Sequence, residues 1–111
     1  MQERLKILKD ALTLLAAPPA TQLNHLNALG LPGGIDELAL EYDDIAAAAD
    51  GLFQAGEIDN RLRDCVKQLT SFLGQFGGQE NALLWTPEAI HSAPQWDQVR
   101  RMAADCLTRV K

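Results

Sequence analysis

Apolar side chains recur along this chain at steps of three and four residues, and proline or glycine closes each run. That pattern permits helices and little else. From Glu3 to Ala16, Leu5, Leu8, Leu12 and Leu15 mark one face, widened by Ile7, Ala11 and Leu14, with Lys6, Lys9, Asp10 and Thr13 opposite. Pro18 and Pro19 stop this helix, because proline lacks an amide donor and disfavours helix at the preceding residue, and both can open the next. Leu23, Leu26 and Leu29 predict a short second helix closed by Gly30, followed by a loop at Leu31-Pro32-Gly33-Gly34. Asp36 is expected to cap a third helix that runs to about Ala55 and stops at Gly56, with Leu38, Tyr42, Ile45, Ala49 and Leu52 inward.

Asp59 is expected to cap a fourth helix, in which Leu62, Val66, Leu69, Leu73 and Phe76 form the stripe with Cys65 and Phe72, until Gly77-Gly78 ends it. Gly74 weakens its last turn. After a loop near Gln79 to Leu84, Thr86-Pro87-Glu88 reads as a cap, a first-turn proline and an acid, with Trp85 and Ile90 placed as a hydrophobic staple. Ser92-Ala93-Pro94-Gln95 reads as a capping box for the last helix, whose core face carries Trp96, Val99, Ala103, Cys106 and Val110. No run alternates with period two for long enough to form a strand. The expected fold is all-α: a single domain, a compact antiparallel helical bundle of four main helices plus one or two short ones.

A chain of 111 residues can bury a core without staples. Cys65 and Cys106 stand far apart with no CxxC pair, so they are expected as reduced core thiols. No window reaches the ~18 apolar residues of a membrane span, and Met1 to Asp10 lack the apolar stretch of a signal peptide, which predicts a cytoplasmic protein. A net charge of −5 argues against free nucleic acid or an anionic membrane as partner, since both demand an excess of Lys and Arg.

That total conceals a partition. Between Asp10 and Asn60 there is no Lys or Arg, while Asp10, Asp36, Glu37, Glu41, Asp43, Asp44, Asp50, Glu57 and Asp59 supply nine negative charges, and the remainder of the chain is +4. On a helical wheel with Asp36 at zero, the apolar stripe of the third helix falls between about 160° and 240°. Asp36, Glu37, Glu41, Asp43 and Asp44 occupy the opposite arc, with Leu40 among them at about 40°. Such a face can be plain solvated surface, with Leu40 folded back on Ile35 as a staple. It can also be a docking surface for a basic protein, in which acids steer the encounter and an apolar anchor supplies desolvated contact. Crowding Glu37 and Glu41 four apart costs a helix a few tenths of a kcal/mol without a cation, which favours docking.

Other chemistries lack their full signatures. Glu88-Ala-Ile-His91 has the ExxH spacing of di-metal bundles, but such sites need two copies. Glu37, Glu41 and Asp44 could face one cation, yet no histidine joins them on that helix and the spacing is not that of a calcium loop. Neither cysteine has a sequence neighbour that would activate it beside His25 or His91. Gly30, Gly33 and Gly34 lack the lysine of a phosphate-binding loop. Arg100, Arg101, Arg109 and Lys111 form a basic cluster too small to make nucleic acid the default ligand. No enzyme, metal or cofactor is expected.

Asp36-Glu-Leu-Ala-Leu-Glu-Tyr-Asp-Asp44, Leu84-Trp-Thr-Pro-Glu-Ala-Ile90 and Pro94-Gln-Trp-Asp-Gln-Val-Arg100 together give the chain, from about Asp36 onward, a pattern that resembles small acidic bacterial immunity proteins of contact-dependent growth-inhibition and related polymorphic toxin systems. The resemblance implies a one-to-one inhibitor in the cytosol of the producing cell that binds a cognate toxin domain, expected to be a basic nuclease. Asp36, Glu37, Glu41, Asp43 and Asp44 would then mimic phosphate charges, with Leu40 as anchor. The alternative is a small cytosolic helical adaptor or regulatory subunit that offers the same face to another basic protein. A third reading, a metal-dependent enzyme built on Glu88, His91 and the third-helix acids, has the least support in the residues.

Overall fold

In the computed structural model, which describes residues 3–31, 34–77 and 79–110, the apolar stripes sort into α1 (Glu3–Ala16), α2 (Pro19–Ala28), α3 (Asp36–Ala46), α4 (Ala49–Gln54), α5 (Asn60–Gln75), α6 (Pro87–Ser92) and α7 (Pro94–Thr108). A 3-10 segment over Gln79–Leu84, kinked at Asn81, joins α5 to α6. Among the described residues all regular structure is helical, so the protein is all-α. Helix α1 packs on α7 and α3, and α5 touches both α7 and α3, which closes a ring of four around the core. Pro32, Gly33, Gly78 and Lys111 of the expected loops and basic cluster lie outside the described residues.

The helix ends follow their local chemistry where a side chain can reach. Pro18 stands at the N-terminal cap of α2 in extended backbone, with Pro19 in its first turn. Gly30 (φ 74°) and Gly56 (φ 78°) take the left-handed conformation after α2 and α4. The next amides, of Leu31 and Glu57, then reach back to the carbonyls of Leu26 and Leu52 at 2.9 Å, the six-to-one bond that closes a helix. Asp59 Oδ1 accepts from the Leu62 amide at 2.9 Å, and Thr86 Oγ1 from the Ala89 amide at 3.2 Å, so both expected caps form.

Three expectations fail locally. The third helix is two pieces: at Ala47 and Ala48 the chain tightens into a turn in which the Ala48 amide binds the Ile45 carbonyl at 3.0 Å. Alanine is the best helix former, so tertiary packing, with Ala49 and Leu52 fully buried, overrides propensity here. Asp36 is not the cap; Ile35 holds that position, wholly buried, and Asp36 and Glu37 stand in the first turn, at the positive end of the helix dipole. The Ser92–Gln95 capping box does not form either. Ser92 still belongs to α6 and donates back to the Glu88 carbonyl at 2.9 Å, so Ala93, in extended backbone, closes α6 and opens α7 with no side chain to cap it.

The cysteines are also corrected. Cys65 and Cys106 face each other from α5 and α7 and form a disulfide, with Cα atoms 5.7 Å apart. Both lie on the core stripes of helices that pack side by side, a proximity that a sequence separation of 41 conceals. Toward the other end of the same helix pair, Phe76, Trp85 and Trp96 form an aromatic cluster with centroids 5.3–5.6 Å apart. The indole N–H groups of Trp85 and Trp96 donate to the carbonyls of Phe76 and Leu84, each at 2.7 Å.

One buried polar side chain ties the ends of the chain together. Gln22, on α2, is fully buried; its amide nitrogen donates to the last-turn carbonyls of Leu14 and Leu15 at 3.1 and 3.0 Å, and its oxygen accepts from Arg100 of α7 at 3.2 Å. Arg100 also donates to the Ile90 carbonyl at 3.0 Å and to Asp97 at 2.7 Å. Two carbonyls in the last turn of α1 thus accept from a side chain outside their own helix.

Candidate functional site

Folding supplies cations to part of the base-free stretch. Asp10 meets Lys6 at 3.6 Å, Asp50 meets Lys67 at 3.0 Å, Glu57 meets Arg4 at 3.7 Å, and Asp59 caps α5. Glu41, at the edge of the predicted acidic arc, turns toward α2, where its carboxylate lies 3.1 Å from His25 Nε2. Asp36, Glu37, Asp43 and Asp44 have no cation within 4 Å among the described residues, and all four sit on α3. The uncompensated charge of the stretch therefore gathers on one helix of three turns.

Beside that helix runs a groove of about 760 Å³. Asp36, Ala39, Leu40 and Asp43 of α3 form one wall. Thr70, Leu73 and Gly74 of α5, followed by Gly77, form the opposite side, and Ala82 and Trp85 close the end. Leu40 is 49% exposed, whereas Leu38, two residues earlier, is 1% exposed; Leu40 therefore fronts the groove rather than folding back as a staple. Leu83, between Ala82 and Trp85 in sequence, is 86% exposed and is not part of the groove lining.

Asp36 and Asp43 are the ionisable side chains in this lining, and they are seven residues, two helical turns, apart on the same wall: about 10.5 Å along the axis. Burial in the groove wall, with the negative charge of Asp44 beside it, raises the Asp43 carboxyl above its ordinary value. A cation brought to the rim would relieve that penalty. Underneath, the Tyr42 hydroxyl and the Thr70 hydroxyl both donate to the Val66 carbonyl, at 2.9 and 3.0 Å. Desolvation pushes the Tyr42 hydroxyl well above its usual range, so it stays protonated as a donor; the Thr70 hydroxyl opposes that rise and Asp43 adds to it. With these donors committed inward, the groove presents a mainly apolar floor and an acidic rim.

Of the six predicted contact residues, the structure brings Asp36, Leu40 and Asp43 together on the groove, leaves Glu37 and Asp44 on α3 outside its lining, and sends Glu41 to His25. The lining residues of the second wall, from Thr70 to Trp85, include no charged side chain to draw attention in the sequence; the one local clue is Gly74, a poor helix former inside a strong helix. Among the described residues no three His, Cys, Asp or Glu side chains gather as a metal site would require, and Glu88 and His91 lie exposed on α6. No described helix is long and apolar enough to cross a membrane. Comparison with known protein families, with curated proteins and with solved structures finds no match to this chain.

Proposed function

We propose that this chain is a non-enzymatic immunity protein that binds a cognate toxin domain, a basic nuclease, in the cytoplasm of the producing cell and occludes its active or substrate-binding surface. The observation that carries the reading is the concentration of Asp36, Glu37, Asp43 and Asp44, none with a cation near it among the described residues, on the helix that also presents Leu40 to an apolar groove. The carboxylates supply long-range attraction and speed the encounter. Leu40 and the groove supply contact that excludes water, which sets the lifetime of the complex. Carboxylates on the α3 face occupy the places that phosphates take on a nuclease. The scaffold we take to be an antiparallel bundle of α1, α3, α5 and α7, in keeping with their ring of neighbours.

The test is co-expression with the C-terminal domain of a large secreted protein encoded in an adjacent reading frame, scored by survival. The chain should rescue growth and co-purify one to one with that domain. Asp43→Lys with Asp44→Lys should slow association by about tenfold or more at low salt, with the difference shrinking as salt rises. Rescue without a physical complex, or a double variant that associates at the original rate, overturns the proposal.

A further inference from the structure

Gly74 has an identity that the fold does not require. It lies within α5, a Cβ built on it would meet nothing within 4 Å, and alanine there would favour the helix. Gly77 is similar: a Cβ would make only ordinary contacts, at 3.7 Å to the Gly74 carbonyl and 3.9 Å to that of Leu73. Both glycines line the groove, and Ala39 faces it from the other wall. The lining is therefore low along a strip where backbone from another molecule could approach closely, at a cost to the stability of α5.

The rim fixes what that molecule must carry. Asp36 and Asp43 repeat at the spacing of two helical turns and have no cation partner among the described residues, while Leu40 stands half exposed between them. We infer that the groove receives an amphipathic α-helix of the basic partner, with its backbone seated over Gly74 and Gly77, apolar side chains against Leu40 and Trp85, and Lys or Arg at positions i and i+7 paired with Asp36 and Asp43. A helix with apolar anchors at i+3 and i+4 between two cations matches both the slot and the charges. An acidic helix would set like charges along the rim, and nucleic acid would set phosphates there. The inference rests on the proposed reading that a basic protein uses this face.

The probe is a synthetic helical peptide of about 15 residues, with Lys at i and i+7 and Leu at i+3 and i+4, compared with the same peptide carrying Glu for Lys. Trp85 lines the groove and Trp96 is fully buried, so tryptophan emission reports binding, with Trp85→Phe as the control that should silence it. The Lys peptide should bind at least about tenfold more tightly than the Glu peptide, and Gly74→Leu, which fills the slot from an exposed position, should weaken it by a similar factor. Gly74→Ala should raise Tm while weakening the peptide, a split that a purely structural glycine would not give. Equal affinity for both peptides, binding of neither, or indifference to Gly74→Leu overturns the inference, as does a dimer of this chain that Gly74→Leu abolishes, since the occupant would then be a second copy. If a toxin domain loses binding on Asp43→Lys/Asp44→Lys but not on Gly74→Leu, the proposed function stands and the helix in the groove falls. If the Lys peptide binds as described and no toxin domain does, the reverse holds.

Discussion

Reduction of the Cys65–Cys106 disulfide removes a cross-link while leaving two buried sulfurs in place, so its effect is felt chiefly in the unfolded chain. The bond joins positions with a sequence separation of 41. For a loop of that length, the chain-entropy relation gives about 13 cal/mol/K, or about 4 kcal/mol at 25 °C. In a domain of this size each kcal/mol moves Tm by roughly 4 °C, so reduction should lower Tm by about 16 °C. Small domains have roughly 5–15 kcal/mol of stability to lose, so the reduced protein should still fold. The assay is thermal and guanidinium unfolding with and without a phosphine reductant, followed by Trp96 emission and far-ultraviolet circular dichroism. The guanidinium slope should steepen on reduction, because the freed unfolded chain exposes more surface. A shift under about 4 °C, or two titratable thiols in the untreated native protein, would refute the reasoning. Cytoplasm keeps most thiols reduced, so there the reduced stability is the working figure for the proposed immunity role.

Asp43 sets a pH dependence. Burial beside Asp44 raises its folded value above the ordinary 3.8, so the folded chain binds its proton before the unfolded chain does, and stability falls as pH rises through the window just above 3.8. Asp43→Asn should therefore raise the urea midpoint at pH 7 and give no such gain at pH 3; an equal gain at both would show that charge is not the cause. Gln22→Ala strands one Arg100 N–H and the Leu15 carbonyl, the Leu14 carbonyl keeping the Ala17 amide, and should cost about 2 kcal/mol in urea unfolding; a cost under about 1 kcal/mol would mean that water replaces the amide. Trp85→Phe removes the bond to the Phe76 carbonyl and should cost about 1 kcal/mol, leaving an emission spectrum from Trp96 alone.

Sequence periodicity reads α1 to its ends because Leu8, Leu12 and Leu15 have one place to go, and the caps at Asp59 and Thr86 because each involves a side chain and an amide three residues away. What depends on distant partners is not legible. Nothing near Cys65 announces Cys106, and nothing around Gln22, a polar residue in a weakly amphipathic segment, announces its burial. Ala46 to Ala49 carry only methyl groups, so the break there reflects what Ala49 and Leu52 pack into rather than any local preference. The wheel locates Leu40 among acids, which is half of the groove. The other half comes from α5 and the segment after it, where Gly74 and Trp85 read as a weak turn and a core aromatic until the walls are set side by side.

The hydrogen bond between Gln22 and Arg100 spans 78 positions, and it bears on how the chain matures. As the chain is made, α1 and α2 are complete long before α7 exists, yet the amide of Gln22 that closes α1 needs a donor from α7 to be buried at low cost. An early native-like core would enclose an orphaned carbonyl, which disfavours partial burial and keeps the nascent segment open to solvent. The burial of Gln22 should therefore be completed only after synthesis of α7.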